Sequence, residues 1–116
     1  MKKLLTVAVA AMTLVGTVNA QTITGDAKAA EAKVAMCIGC HAIPGYRSSY
    51  PEIYSVPLLG GQNAGYVVAA LQAYKKGDRK HPTMRSIAAG LSDQDMADIA
   101  EYYAAQTSAT TINKLK

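Results

Sequence analysis

Cys37-Ile38-Gly39-Cys40-His41 is the stretch on which the reading of this chain turns. Two cysteines three apart, with a histidine directly after the second, form an attachment pattern for haem c. The chemistry explains the spacing. Each thiol adds to one vinyl group, and two intervening residues let both sulfurs reach neighbouring edges of one porphyrin. The histidine is then carried under the ring, within reach of the iron. One such motif predicts one covalent haem c on Cys37 and Cys40, with His41 as an iron ligand.

Other uses of the same residues fit less well. A disulfide or thioredoxin-like redox pair sits at the start of a helix beside a strand, whereas this motif ends a helical pattern in a chain with no convincing strand. A closed structural zinc site takes four protein ligands, and His81 is the only further Cys or His present.

The second axial position decides between electron transfer and small-molecule chemistry. Met36 precedes Cys37 and lies on the attachment side. Met96 belongs to the apolar stripe of the last predicted helix, where a methionine is expected to be core. Met84 lies in a short segment between Pro82 and Gly90 and follows His41 by 43 residues, enough chain to pass around the porphyrin edge. It is the favoured ligand. His81, expected to face solvent among basic residues, and an open iron are the alternatives.

Outward from the motif, the periodicity is helical. Residues 26–38 are rich in Ala, Lys and Glu with Asp26 as N-cap. Residues 42–61 hold three prolines and three glycines and read as a long loop. A helix over 63–76 carries Val67, Ala70, Leu71 and Tyr74 on one stripe and stops at Gly77. His81-Pro82 opens a short turn or helix to Gly90. The last helix starts at Ser92, with Asp95 completing a capping box and Met96, Ile99, Ala100 and Tyr103 buried. The expected fold class is all-α: three main helices and a long loop around one haem.

At the N-terminus, Lys2 and Lys3 precede an apolar run from Leu4 to Val18, closed by Val18-Asn19-Ala20. That is the pattern of a cleaved secretory signal peptide over 1–20, leaving one domain over 21–116. The run falls short of the roughly 20 apolar residues of a membrane span, so no stable membrane insertion is expected after cleavage. A domain this small commonly needs a staple. With no Trp or Phe, a porphyrin would supply missing bulk. Net charge is +4 with the signal's two lysines, which gives no argument for nucleic acid. Lys75, Lys76, Arg79, Lys80 and Arg85 nevertheless cluster, and Asp93, Asp95, Asp98 and Glu101 share the next helix.

Taken together these residues resemble the class I cytochromes c, especially the small bacterial periplasmic type. The resemblance runs over essentially the whole mature chain: the Ala-rich helix ending in the CxxCH motif, Pro57-Leu58-Leu59-Gly60-Gly61-Gln62 with Tyr66, Gly77-Asp78-Arg79, Met84, and Gly90-Leu91-Ser92-Asp93-Gln94-Asp95 leading to Tyr102-Tyr103. It implies a helical globule whose terminal helices cross beside the haem, with Ala30 against Tyr103. It implies His41/Met84 ligation, the Pro57 carbonyl as acceptor for the second His41 nitrogen, and haem propionate contacts from Gln62, Tyr66 and Arg79. Two features depart from the pattern. Ala42 stands where relatives commonly have Gly, and the 43–56 loop is longer, with Tyr46, Tyr50 and Tyr54 expected to cover the haem edge.

An iron with both axial positions filled has no vacancy for substrate. The expected function is a periplasmic one-electron carrier that meets redox partner proteins and is not an enzyme. A haem subunit of a periplasmic dehydrogenase or oxidase is the alternative. An open-iron gas-binding or peroxidatic cytochrome comes third.

Overall fold

The computed structural model describes residues 22–49 and 52–107. The expected signal segment, Tyr50 and Pro51 lie outside them. The architecture is all-α, built on four helices: α1 (Ala35–His41), α2 (Ala64–Lys76), α3 (Pro82–Ala89) and α4 (Asp93–Ala104).

The first element differs from the uninterrupted helix expected over 26–38. A 3₁₀ turn, Ala29–Ala32, precedes α1. Asp26 Oδ1 accepts from the amides of Lys28 at 2.8 Å and Ala29 at 3.4 Å. Downstream the Ala30 carbonyl is shared between Lys33 N at 2.8 Å and Val34 N at 3.0 Å, and the Val34 carbonyl between Cys37 N and Ile38 N. Such three-centre bonds are common at helix ends. They keep the path helical while tightening it where buried Ala30 packs into the core beside α4.

Segment 42–62 is not wholly irregular, contrary to expectation. Arg47–Ser48 (β1) and Tyr54–Ser55 (β2) pair antiparallel, Arg47 opposite Ser55 and Ser48 opposite Tyr54. The Val56 amide extends the ladder to Tyr46 O at 2.9 Å. Two residues per strand are too few to register as alternation in the sequence.

The remaining elements start and stop for local reasons. Asn63 caps α2 by accepting from Tyr66 N at 3.1 Å, and Gly77, at φ 90°, ends it in the left-handed conformation that disfavours a Cβ. Pro82 occupies the first turn of α3, where its missing N–H costs nothing. At α4 the Ser92 hydroxyl accepts from Asp95 N at 3.1 Å and the Ser92 amide donates to Asp95 Oδ2 at 2.9 Å, the reciprocal cap anticipated from sequence.

The core lies where α4 packs against α2 and against the 3₁₀ turn, with α3 resting on α2. Met96, Ile99, Ala100 and Tyr103 are all buried, as the stripe predicted, and Ala30 joins Tyr103 in the same cluster. An ionic clasp closes this side. Lys33 Nζ lies 2.6 Å from Asp95 Oδ1 and 2.8 Å from Asp98 Oδ2. Asp98, only 2% exposed, also accepts from Asp26 N and Gln94 Nε2, each at 2.8 Å. Both oxygens of this buried carboxylate are therefore hydrogen-bonded, as burial requires.

Candidate functional site

A cavity of about 330 Å³ opens beside this core. Helix α1 contributes Met36, Cys37, Cys40 and His41 to its wall, and the loop contributes Tyr54, Val56, Pro57 and Leu59. Val67, Leu71 and Tyr74 come from α2, and Met84 and Ile87 from α3, with Arg79 and His81 between those helices. The lining is mostly apolar, with aromatic rings and a few polar tips.

Both thiols are free, and being three apart on one short helix they reach the same cavity as the adjacent imidazole. Burial pushes the Cys37 thiol up from its ordinary value. His41 is fixed by the loop: Nδ1 lies 2.7 Å from Pro57 O. A carbonyl only accepts, so Nδ1 carries the proton and Nε2 is the nitrogen with a free lone pair. The register of β1 and β2, continued by Val56 N to Tyr46 O, sets where that carbonyl lies. This is the outer support a metal-binding histidine needs to hold its tautomer and ring angle.

Met84 is half-buried and packs against the core cluster from the first turn of α3, so its segment is helix and not loop. Its amide donates to His81 Nδ1 at 3.4 Å. Met96 is fully buried within the core. His81 corrects the expectation of a solvent-facing ring. It is half-buried, lines the cavity, and its ring centroid is 4.3 Å from that of Tyr54 and 6.3 Å from that of Tyr74. Histidine ahead of a proline at the first helical position was the available sign, since that place calls for a capping side chain.

The three polar candidates part company. Arg79 lines the cavity with its guanidinium 4.6 Å from the Tyr74 ring centroid, a cation–π contact. Tyr66 lines it while 53% exposed. Gln62 is absent from the lining, and its Oε1 accepts from Asn63 N at 2.9 Å. Of the loop tyrosines, Tyr54 reaches the wall, with its hydroxyl donating to Glu52.

This donor set fits a haem. A mostly apolar cavity, two thiols and an oriented imidazole are the parts a covalently held porphyrin uses, and Met36 and Tyr66 leave large apolar surface exposed at the cavity wall. A protein-only metal centre does not fit, since among the described residues no three His, Cys, Asp or Glu side chains gather for one. No described helix is long and apolar enough to cross a membrane.

Comparison with known proteins agrees. The family model for cytochrome c matches residues 27–105. Cytochrome c-554(548) of Halomonas halodenitrificans is 44% identical over 85 residues, covering 71% of this chain and 98% of that one. Cytochrome c4 of Pseudomonas aeruginosa is 39% identical over 106 residues, 91% of this chain and 49% of its own length. The crystal structure of reduced recombinant cytochrome c4 from Pseudomonas stutzeri matches with a TM-score of 0.59 at 38% identity, over 72% of this chain and 47% of that one. The chain thus spans nearly all of the first relative and about half of the cytochrome c4 relatives. It belongs to the cytochrome c family. It is an electron-transfer protein and not an enzyme, and its CxxCH motif carries a covalent haem c.

Proposed function

We propose that the chain is a periplasmic one-electron carrier whose haem iron is ligated by His41 Nε2 and the Met84 thioether. Residues 1–20 serve as the cleaved export signal and 21–116 as the carrier domain. The observation that carries the ligand assignment is the Pro57 contact, which leaves Nε2 as the coordinating nitrogen of His41. Met84 enters the same cavity, whereas Met96 is sealed in the core. When bound, the haem takes up and returns one electron, at a potential raised by a thioether ligand.

The chain's own residues do the rest. Cys37 and Cys40 hold the ring, Pro57 orients His41, and Arg79 and Tyr66 are the propionate contacts. Gln62 Oε1 accepts from Asn63 N, and its Nε2 is the group that would donate to a propionate. Exposed Lys76, Arg79, Lys80 and Arg85 steer an acidic redox partner towards the Met84 side. Lys75 is tied down, its ammonium donating to Leu91 O.

An optical spectrum tests the ligand pair. The oxidised protein should show the weak far-red band of an iron–thioether bond. Met84→Ala should abolish that band, and Met96→Ala should leave it in place while lowering stability by about 2–5 kcal/mol, the usual cost of emptying a buried methionine site. A band that survives Met84→Ala sinks the assignment.

A further inference from the structure

Tyr103 carries a polar group the electron-transfer reading leaves unused. Its side chain is 1% exposed and among the largest fully buried ones. Its hydroxyl is buried without a well-formed hydrogen bond, and the Cys37 side chain is the group it interacts with. Native interiors seldom keep such a group without a reason, and a phenylalanine would fill the same space without the unpaired oxygen.

The surroundings narrow what the hydroxyl can serve. Tyr102 meets the ring edge-on at 5.2 Å between centroids. The Tyr103 carbonyl is already occupied by Gly61 N at 2.8 Å and Gln106 N at 3.1 Å. The neighbouring polar atom is the sulfur of Cys37. That side chain is packed against the same cluster, and the two groups lie close enough to bias each other's ionisation, on top of the burial that pushes both up. In a free cysteine the sulfur bears its own proton and is a donor as well as a weak acceptor. Attachment adds the thiol across a haem vinyl group, sulfur bonding to one vinyl carbon and the hydrogen passing to the other. The sulfur then has lone pairs only, and the orphaned hydroxyl has an acceptor at hand.

We propose that the Tyr103 hydroxyl donates a hydrogen bond to the Cys37 thioether of the attached haem, and that this contact raises the midpoint potential. The positive end of the O–H dipole faces a sulfur bonded to the porphyrin edge and draws electron density from it. That favours the reduced, electron-rich state. Because the pair is buried, water screens it little, and hydrogen bonding around a haem is among a protein's means of tuning its potential. Tyr103 is a positioning residue, acting through Cys37 whichever side chain is the sixth ligand.

The test uses the holoprotein in two ways. Tyr103→Phe keeps the ring and removes the hydroxyl. Its midpoint potential should fall by an amount equal to about a two- to fivefold change in the electron-exchange equilibrium, a fraction of a hydrogen bond's net worth. At about 59 mV per tenfold for one electron, that is about 20–40 mV. An unchanged or higher potential in the folded variant overturns the proposal. The second measurement needs no variant. Proton NMR of the reduced, diamagnetic protein should show a slowly exchanging Tyr103 hydroxyl with cross-peaks to the thioether bridge at Cys37. A hydroxyl exchanging at the solvent rate, or one with cross-peaks elsewhere, overturns it.

Discussion

Helix α4 and the segment 42–62 are joined by a hydrogen bond from Gly61 N to Tyr103 O, yet they are built on opposite terms. Seven of the twelve residues of α4 are buried, against α2 and the 3₁₀ turn, and its charged face is clasped by Lys33. In segment 42–62 none of the described residues is buried. Its apolar side chains Val56, Pro57 and Leu59 instead line the cavity beside Cys37, Cys40 and His41. One region closes its core with protein alone, and the other is shaped to close it on a cofactor. In a small domain without Trp or Phe, the porphyrin is both the redox centre and the missing half of the core.

The largest effect expected from that contrast comes from removing the attachment. Cys37→Ser with Cys40→Ser should abolish haem staining on a denaturing gel. Amide hydrogen exchange should then rise to near-unprotected rates across 42–62, with α4 keeping more protection. A loop that stays protected without haem would break the comparison. On the protein-only side, the chain before the 3₁₀ turn runs so close to α4 that a Cβ on Gly25 would collide with the Ala97 carbonyl. Gly25→Ala should therefore cost about 1–3 kcal/mol, in line with overpacking elsewhere, read as a lower melting temperature with an unshifted haem spectrum. A shifted spectrum would show that the two regions are less separate than drawn.

The smallest effect concerns the clasp and acid. Hydrogen bonds from Lys33 hold the carboxyls of Asp95 and Asp98 well below the usual carboxylate range, helped at Asp98 by the Asp26 amide. A carboxylate depressed in the folded state contributes stability above its unfolded value of about 4, and that contribution is lost as pH falls towards the folded value. Thermal stability should thus decline as pH drops below about 4. Asp98→Asn should be less stable than the native protein at pH 7, and the difference should shrink in acid. A constant difference from pH 7 to pH 3 would remove the clasp from the account.

Much of this was legible in the chain, and what was not has a common cause. Caps are local, so Gly77 and Ser92 announced helix ends, and the α4 stripe announced its buried face. The β1/β2 pair escaped because two residues carry no period. His81 was misread because basic neighbours suggested solvent, while its placement follows from Tyr54 and Tyr74, which are remote in sequence. Gln62 entered as a propionate contact by resemblance alone, and its Oε1 accepts from the adjacent Asn63 amide.

The sequence by itself determined the chemistry. A CxxCH motif and helices with written-in ends make a small all-α haem protein, because thiol spacing and backbone capping act over a few residues. The tertiary structure alone decided which imidazole nitrogen is free, which methionine enters the cavity and which is sealed, and that a tyrosine hydroxyl lies buried beside Cys37. Those depend on contacts between residues 16 to 66 positions apart, and no local pattern encodes them.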